Sequence, residues 1–281
     1  MSLRRLTLFI AVAVAAPLLS AQAKPSQVEN QLRNLRSVPV DQKPAAITKL
    51  AADIHSLPAN SQQVGYADAL EHLSTEGDMG QPALQAVADT LTTALTATPV
   101  PAKGDKVPMP YYDLAKLVRY EQVTTTMTDP LYQKAAQTLA DNDASLDKVD
   151  FTLKDLRGKK VTLSELRGKI VMVNFWATWC GPCRLEMSDL DALSRYFASQ
   201  GLVVLSITDE DIFKVGQFLA PTKYNPTVLL DPGGKVHEQF HITGIPNTYL
   251  FGRDGKLLAV AIDQRTRRQF LQMLEKTDLH P

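Results

Sequence analysis

The run Val171-Met172-Val173-Asn174-Phe175-Trp176-Ala177-Thr178-Trp179 leads directly into Cys180-Gly181-Pro182-Cys183. An apolar stretch of this kind reads as a buried strand, and the residues after the second cysteine carry helical apolar spacing. The junction therefore puts Cys180 at a helix N-terminus. Unpaired backbone N–H groups and the helix dipole at that end favour a thiolate. A thiolate there is a nucleophile toward disulfides, and a second thiol across two intervening residues can resolve the mixed disulfide. These are the only two cysteines in 281 residues. Zinc, the rival reading of a CxxC, needs two more ligands, and there is no second CxxC or Cys-His cluster. Two inert core cysteines would not need the helix-terminal setting. No metal or cofactor is expected beyond the redox-active pair Cys180–Cys183.

The N-terminus speaks to compartment. Arg4 and Arg5 precede an apolar stretch, Leu6 to Leu19, broken by Thr7 and containing Pro17, and Ala21-Gln22-Ala23 follows. This is the layout of a Sec-type signal peptide over residues 1–23, cleaved after Ala23. The alternative, an uncleaved membrane anchor, has a short span, since crossing takes about 20 apolar residues. The arginine pair lacks the rest of a twin-arginine pattern. Removal leaves 28 basic and 30 acidic residues, a net charge of −2. No polybasic tract points to nucleic acid or a lipid surface. The expected location is periplasmic or otherwise extracytoplasmic, and in an exported chain two cysteines in one CxxC are a working pair.

Length points to more than one domain, and the composition shifts along the chain. Residues 24–142, rich in Ala, Leu, Gln and Thr, read as an all-helical domain, with helices at about 27–37, 43–56, 61–73, 82–96, 111–123 and 130–140. Ile47, Leu50, Ala51 and Ile54 show the spacing. Gln81-Pro82 and Asp129-Pro130 put proline in a first turn, and Asp129 is a candidate cap. The stretch from Thr98 to Pro110 reads as a loop on its prolines and glycine. No firm repeat period is visible. Character changes near Asp141-Asn142-Asp143. From 148 to 281 the pattern predicts strands at 149–153, 160–163, 169–175, 202–207, 227–230, 248–251 and 256–262. Helices are predicted at 182–199, closed by Gln200-Gly201, and at 211–219, 236–240 and 266–275. That order gives an α/β fold with a mixed sheet flanked by helices, preceded by the all-α region.

Phe151-Thr152-Leu153, Gly168-Lys169-Ile170-Val171, Asn174 to Cys183 and Gly244-Ile245-Pro246-Asn247-Thr248 together resemble the TlpA/ResA-like family of exported thioredoxin-fold oxidoreductases. The resemblance covers the C-terminal half; the helical half resembles no family we can name. It implies a thioredoxin-like sheet, attack by an exposed Cys180 and resolution by Cys183. It also implies a cis Ile245–Pro246 bond facing the CxxC, with the Ile245 backbone pairing with a client strand. Gly181 allows close backbone approach, Pro182 fits a first turn, and Gly-Pro between the cysteines resembles reducing thioredoxins. Asn174 stands where thioredoxins carry a buried Asp, and an amide cannot titrate. Glu186, three residues after Cys183, matches the active-site glutamate of the ResA-like branch. It either exchanges protons with Cys183, its acidity weakened by partial burial, or is a solvated helix charge. Ser188 replaces the usual proline, and Asn247 the usual threonine.

Trp176 reads as core. Trp179 flanks the thiol as an apolar contact surface or simply packs. His237 and His241, four apart on one short helix, lack a third metal ligand and read as solvated surface; His55 and His72 read as isolated. Two function classes remain. One is an exported oxidoreductase that reduces protein disulfides, recharged by a membrane thiol-transfer protein, with cytochrome c maturation one possible pathway. The other is a helical partner-binding protein with an accessory or redox-sensing thioredoxin-like domain. A thiol peroxidase would need a different cysteine motif. Oligomeric state and the helical half's task are not readable.

Overall fold

The computed structural model describes residues 23–222 and 227–280. The leader read over residues 1–23 lies outside them apart from Ala23. Among the described residues no helix is long and apolar enough to cross a membrane.

Six helices open the described residues: α1 (Pro25–Asn34), α2 (Lys43–His55), α3 (Ser61–Ser74), α4 (Gln81–Ala97), α5 (Met109–Glu121) and α6 (Pro130–Leu146). Proline sits in the first turn of all but α3, where its missing N–H costs nothing. The α3 start is capped instead by the Asn60 side chain, which accepts from the amides of Gln62 and Gln63. The inward stripes meet in one core, with Ile47, Leu50 and Ile54 of α2, Leu70 of α3, Val87 and Leu91 of α4, and Leu114 and Leu117 of α5 fully buried.

α6 does not stop near Ala140, as the polar run Asp141-Asn142-Asp143 predicts. It continues six residues to Leu146 because those polar side chains have partners on the helix surface. Asp143 accepts from Arg119 Nε at 2.6 Å and from the Tyr120 hydroxyl at 3.0 Å. Leu146 then enters the core of the following sheet.

That sheet has seven strands: β1 (Thr152–Asp155), β2 (Lys160–Thr162), β3 (Ile170–Phe175), β4 (Leu202–Thr208), β5 (Thr227–Leu230), β6 (Asn247–Phe251) and β7 (Leu257–Ile262). They lie in the order β2-β1-β5-β4-β3-β6-β7. β3, β4 and β5 run parallel; β1 and β6 pair antiparallel to β5 and β3. The helices are α7 (Gly181–Tyr196), α8 (Ile212–Leu219), α9 (Lys235–Gln239) and α10 (Arg267–Leu274). β3 is buried on both faces, which is why it reads as a continuous apolar run. Ile170 and Met172 join Leu190 and Leu193 of α7 and Phe270 of α10, while Val171, Val173 and Phe175 join Phe240, Tyr249 and Phe251. The sheet and its helices form a thioredoxin fold preceded by an all-α region.

Two glycines are required by geometry. Gly201 has φ 94° and ends the turn after α7. At Gly255, in the β6–β7 turn, φ is 77°, a conformation that side-chain-bearing residues rarely adopt.

Candidate active site

The apolar strand β3 ends at Phe175, and Trp176 and Ala177 remain buried beyond it. The chain then turns outward. Thr178 is fastened by Glu210, which accepts its amide at 2.5 Å and its hydroxyl at 3.0 Å. Burial weakens the Glu210 acidity, but bonds from Lys214 and Thr178 outweigh it and hold the carboxyl below its ordinary value. Trp179 follows, 68% exposed.

Cys180 is the N-cap of α7, and its Sγ accepts the Cys183 amide at 3.2 Å. Cys180 and Cys183 are joined as a disulfide. The sulfur therefore lies where the unpaired amides of the first turn can stabilise negative charge. One expectation fails: Cys180 is not exposed. At 4% exposure it is tucked under neighbouring residues, while Cys183 is fully buried. The covering comes from the loop before β6. Ile245 O lies 3.8 Å from Cys180 Sγ, a contact rather than a hydrogen bond because a disulfide sulfur carries no proton. Cys180, Cys183, Trp176, Met187 and Val215 form one small apolar cluster against which Ile245 packs.

The Ile245–Pro246 peptide is cis, as the resemblance implies. Gly181 and Pro182 form the half-buried first turn of α7. A Cβ on Gly181 would meet no atom of this chain within 4 Å, so nothing internal requires glycine there. With Ser188 in place of proline, α7 runs unbroken from Gly181 to Tyr196.

Glu186 is 1% exposed, which removes the solvated-charge alternative. Its two oxygens have one donor each. Asn174 Nδ2 donates to Oε1 at 2.8 Å and the Arg265 amide to Oε2 at 3.0 Å. Asn174 Nδ2 also donates to Thr248 Oγ1 at 3.1 Å. Burial pushes the Glu186 carboxyl up; its two donors and the Arg265 charge pull it back only in part, and it stands at about 8.

Trp176 is core, at 1% exposure, with its ring 5.6 Å from that of Phe218. The histidine expectations need correction. His237 is not solvated: its Nδ1 lies 2.7 Å from Asp231 Oδ2, its ring packs 4.8 Å from that of Phe175, and its side chain is 16% exposed. His241 lies beyond the end of α9 with φ 54°, so the two do not share a helix face. His72 is not isolated. It lies one turn from Asp68 on α3 and faces Asp113 of α5, with Nε2 3.6 Å from Oδ2. Ligand atoms of Asp68, His72 and Asp113 fall within 4.8 Å of one another. The Lys116 ammonium already sits 2.7 Å from Asp113 Oδ1, so the buried carboxylate has its cation. The i, i+4 spacing of Asp68 and His72 was the only local signal for this cluster.

A second feature invisible in the sequence reaches the site from the helical half. Arg265, 5% exposed, forms a two-point pair with Glu121 of α5, Nη1 donating to Oε2 at 3.2 Å and Nη2 to Oε1.

The AhpC/TSA family pattern matches residues 147–260. Thiol-disulfide oxidoreductase ResA of Bacillus cereus is 32% identical over 128 residues, covering 45% of this chain and 74% of that protein. The protein of the same description from Bacillus subtilis (strain 168) is 33% identical over 121 residues, 43% of this chain and 68% of its own length. Among solved structures, the exposed lipoprotein thioredoxin of Streptococcus pneumoniae strain TIGR4 is 28% identical, covers 46% of this chain and 99% of its own, and has a TM-score of 0.43. With a helix-capped cysteine pair in a thioredoxin fold and relatives at this identity, the chain belongs, through its C-terminal half, to the ResA-like thiol–disulfide oxidoreductases.

Proposed function

We propose that this oxidoreductase is exported and runs in the reducing direction on protein disulfides. The Cys180 thiolate attacks one sulfur of a client disulfide. A mixed disulfide forms and the first client thiol leaves. The Cys183 thiol then gives up its proton and attacks Cys180 Sγ, releasing the second client thiol and closing the Cys180–Cys183 bond. Two electrons pass to the client. A membrane thiol-transfer protein returns two electrons and two protons through a dithiol of its own. Glu186, one turn along α7 from Cys183, takes the Cys183 proton when it is in its ionised form; a carboxyl at about 8 is matched to a thiol.

The observation that carries this reading is the helix-cap bond from the Cys183 amide to Cys180 Sγ, which rewards charge on that sulfur and not on its buried neighbour. Direction is supported by the Gly-Pro spacer, and export by the leader pattern and the restriction of cysteine to one CxxC. A client strand would pair with the Ile245 backbone beside Pro246 and lie over Gly181 and Pro182. Trp179 supplies exposed apolar contact.

Insulin reduction driven by dithiothreitol tests the roles. Cys180→Ser is expected to lose turnover, and Cys183→Ser to accumulate a mixed disulfide with the client. Normal turnover in Cys180→Ser would contradict the assignment of the attacking sulfur.

A further inference from the structure

The segment between β7 and α10, residues 263–266, carries the Arg265 amide that meets Glu186 Oε2. Three consecutive residues of this segment are held by the helical half. Thr75 Oγ1 donates to Asp263 Oδ2 at 2.5 Å, the Gly77 amide donates to Gln264 O at 2.9 Å, and the Arg265 guanidinium pairs with Glu121. Gln269 of α10 adds a fourth tie, Nε2 donating to Gly77 O at 3.2 Å. Asp263 sits at φ 56°, a region that side-chain-bearing residues rarely adopt. Thr75 is 1% exposed, Glu121 7% and Arg265 5%. The ties are thus largely shielded from water, where hydrogen bonds and ion pairs hold geometry more firmly than at a surface.

We propose that the helical half is a positioning device for the active-site carboxyl: Thr75, Gly77 and Glu121 fix residues 263–265, and with them the amide that donates to Glu186. The active site then spans both halves of the chain. Its redox consequence rests on the reading of Glu186 as the proton partner of Cys183. The positioning itself does not.

The charged groups facing Glu186 are Arg265, which favours its ionised form, and Asp263, which opposes it. Asn174 of β3 and Thr248 of β6 are uncharged, and Cys183 shares its helix. A fixed amide donor stabilises the carboxylate. Loosening that donor without changing any charge must therefore raise the pH at which Glu186 ionises.

The test uses the full-length oxidised protein and the infrared band of the protonated Glu186 carboxyl, identified as the band missing from Glu186→Gln and titrated against pH. Thr75→Val removes one tie and no charge. Glu121→Asp keeps the charge but shortens the arm that grips Arg265, and it serves as a second route where Thr75→Val fails to fold. Both are expected to move the midpoint upward by about half a unit or more. Asp78→Asn breaks a different ion pair between the halves, with Arg268 of α10, and leaves residues 263–265 tied. It is expected to move the midpoint by less than about 0.2 units. An unmoved midpoint in folded Thr75→Val and Glu121→Asp, or an equal shift in Asp78→Asn, would overturn the proposal. Because the band is read without turnover, normal insulin reduction by Glu186→Gln would refute the proton-exchange role alone and leave the positioning standing.

Discussion

Asn174 and Glu186 explain each other. An aspartate at 174 would put a second carboxyl 2.8 Å from Glu186 Oε1, and two such groups cannot both ionise in a buried site. The amide removes that conflict and donates where a carboxylate would repel. The single ionisable carboxyl of the pair is therefore carried by α7, one turn from Cys183, instead of by the strand. Its raised value has a consequence for stability. Glu186 has an ordinary value of 4.5 and stands at about 8 when folded, so the folded state holds the extra proton. Its contribution to stability is complete below about pH 4.5 and is lost as pH rises through about 8. At about 1.4 kcal/mol per unit, the effect is a few kcal/mol. Urea unfolding between pH 5 and 8 is expected to show wild type losing several-fold more stability than Glu186→Gln; parallel curves would contradict the assignment. Both cysteines were legible because the CxxC is local, and Glu186 because it follows Cys183 by three residues on one helix; Asn174, on β3, and the active-site role of Glu186 came only through the family resemblance. Sequence reasoning misplaced Cys180 as exposed, because the cover comes from Ile245, 65 positions away. It missed His72 and His237 because each partner set depends on the fold: Asp113 for one, and Asp231 with Phe175 for the other.

At the scale of elements, the junction of β3 with α7 does most to create the site. A strand buried on both faces cannot slide without drawing the flanking, exposed Lys169 into the core, so its end is fixed. α7 starts from that fixed point. Trp179, between them, faces outward. It touches solvent more than protein, so Trp179→Ala is expected to change unfolding free energy by less than about 0.5 kcal/mol. The same change is expected to raise KM for a protein client several-fold while leaving kcat near wild type. Loss of stability with unchanged KM would make the tryptophan a packing residue instead. Element ends were the least readable feature. α6 runs six residues past its predicted end because Asp143 is satisfied by Arg119 and Tyr120 of α5, partners that composition cannot reveal. Helix starts were clear at α4 and α6, where Pro82 and Asp129-Pro130 marked them, and were read two residues late at α1 and α5, whose Pro25 and Pro110 also sit in the first turn.

The molecule as a whole joins a sheet whose order follows from its sequence pattern to a helical half whose purpose does not. The family pattern begins at residue 147 and leaves that half unmatched. Its ties to the active site link residues 144 and 188 positions apart, Glu121 with Arg265 and Thr75 with Asp263. No periodicity or motif encodes such pairs. In these terms the helical region extends the shell around Glu186, and both halves share one electrostatic problem, a buried carboxyl one helical turn from a buried sulfur. The chemistry still depends first on Cys180 being the anionic sulfur at the start of α7. The most direct measurement is the pH dependence of iodoacetamide alkylation in the reduced Cys183→Ser protein, followed by mass spectrometry. The predicted result is a Cys180 midpoint clearly below the ordinary thiol value of about 8.5. A midpoint at or above it, or faster alkylation of Cys183 in the reduced Cys180→Ser protein, would contradict that assignment.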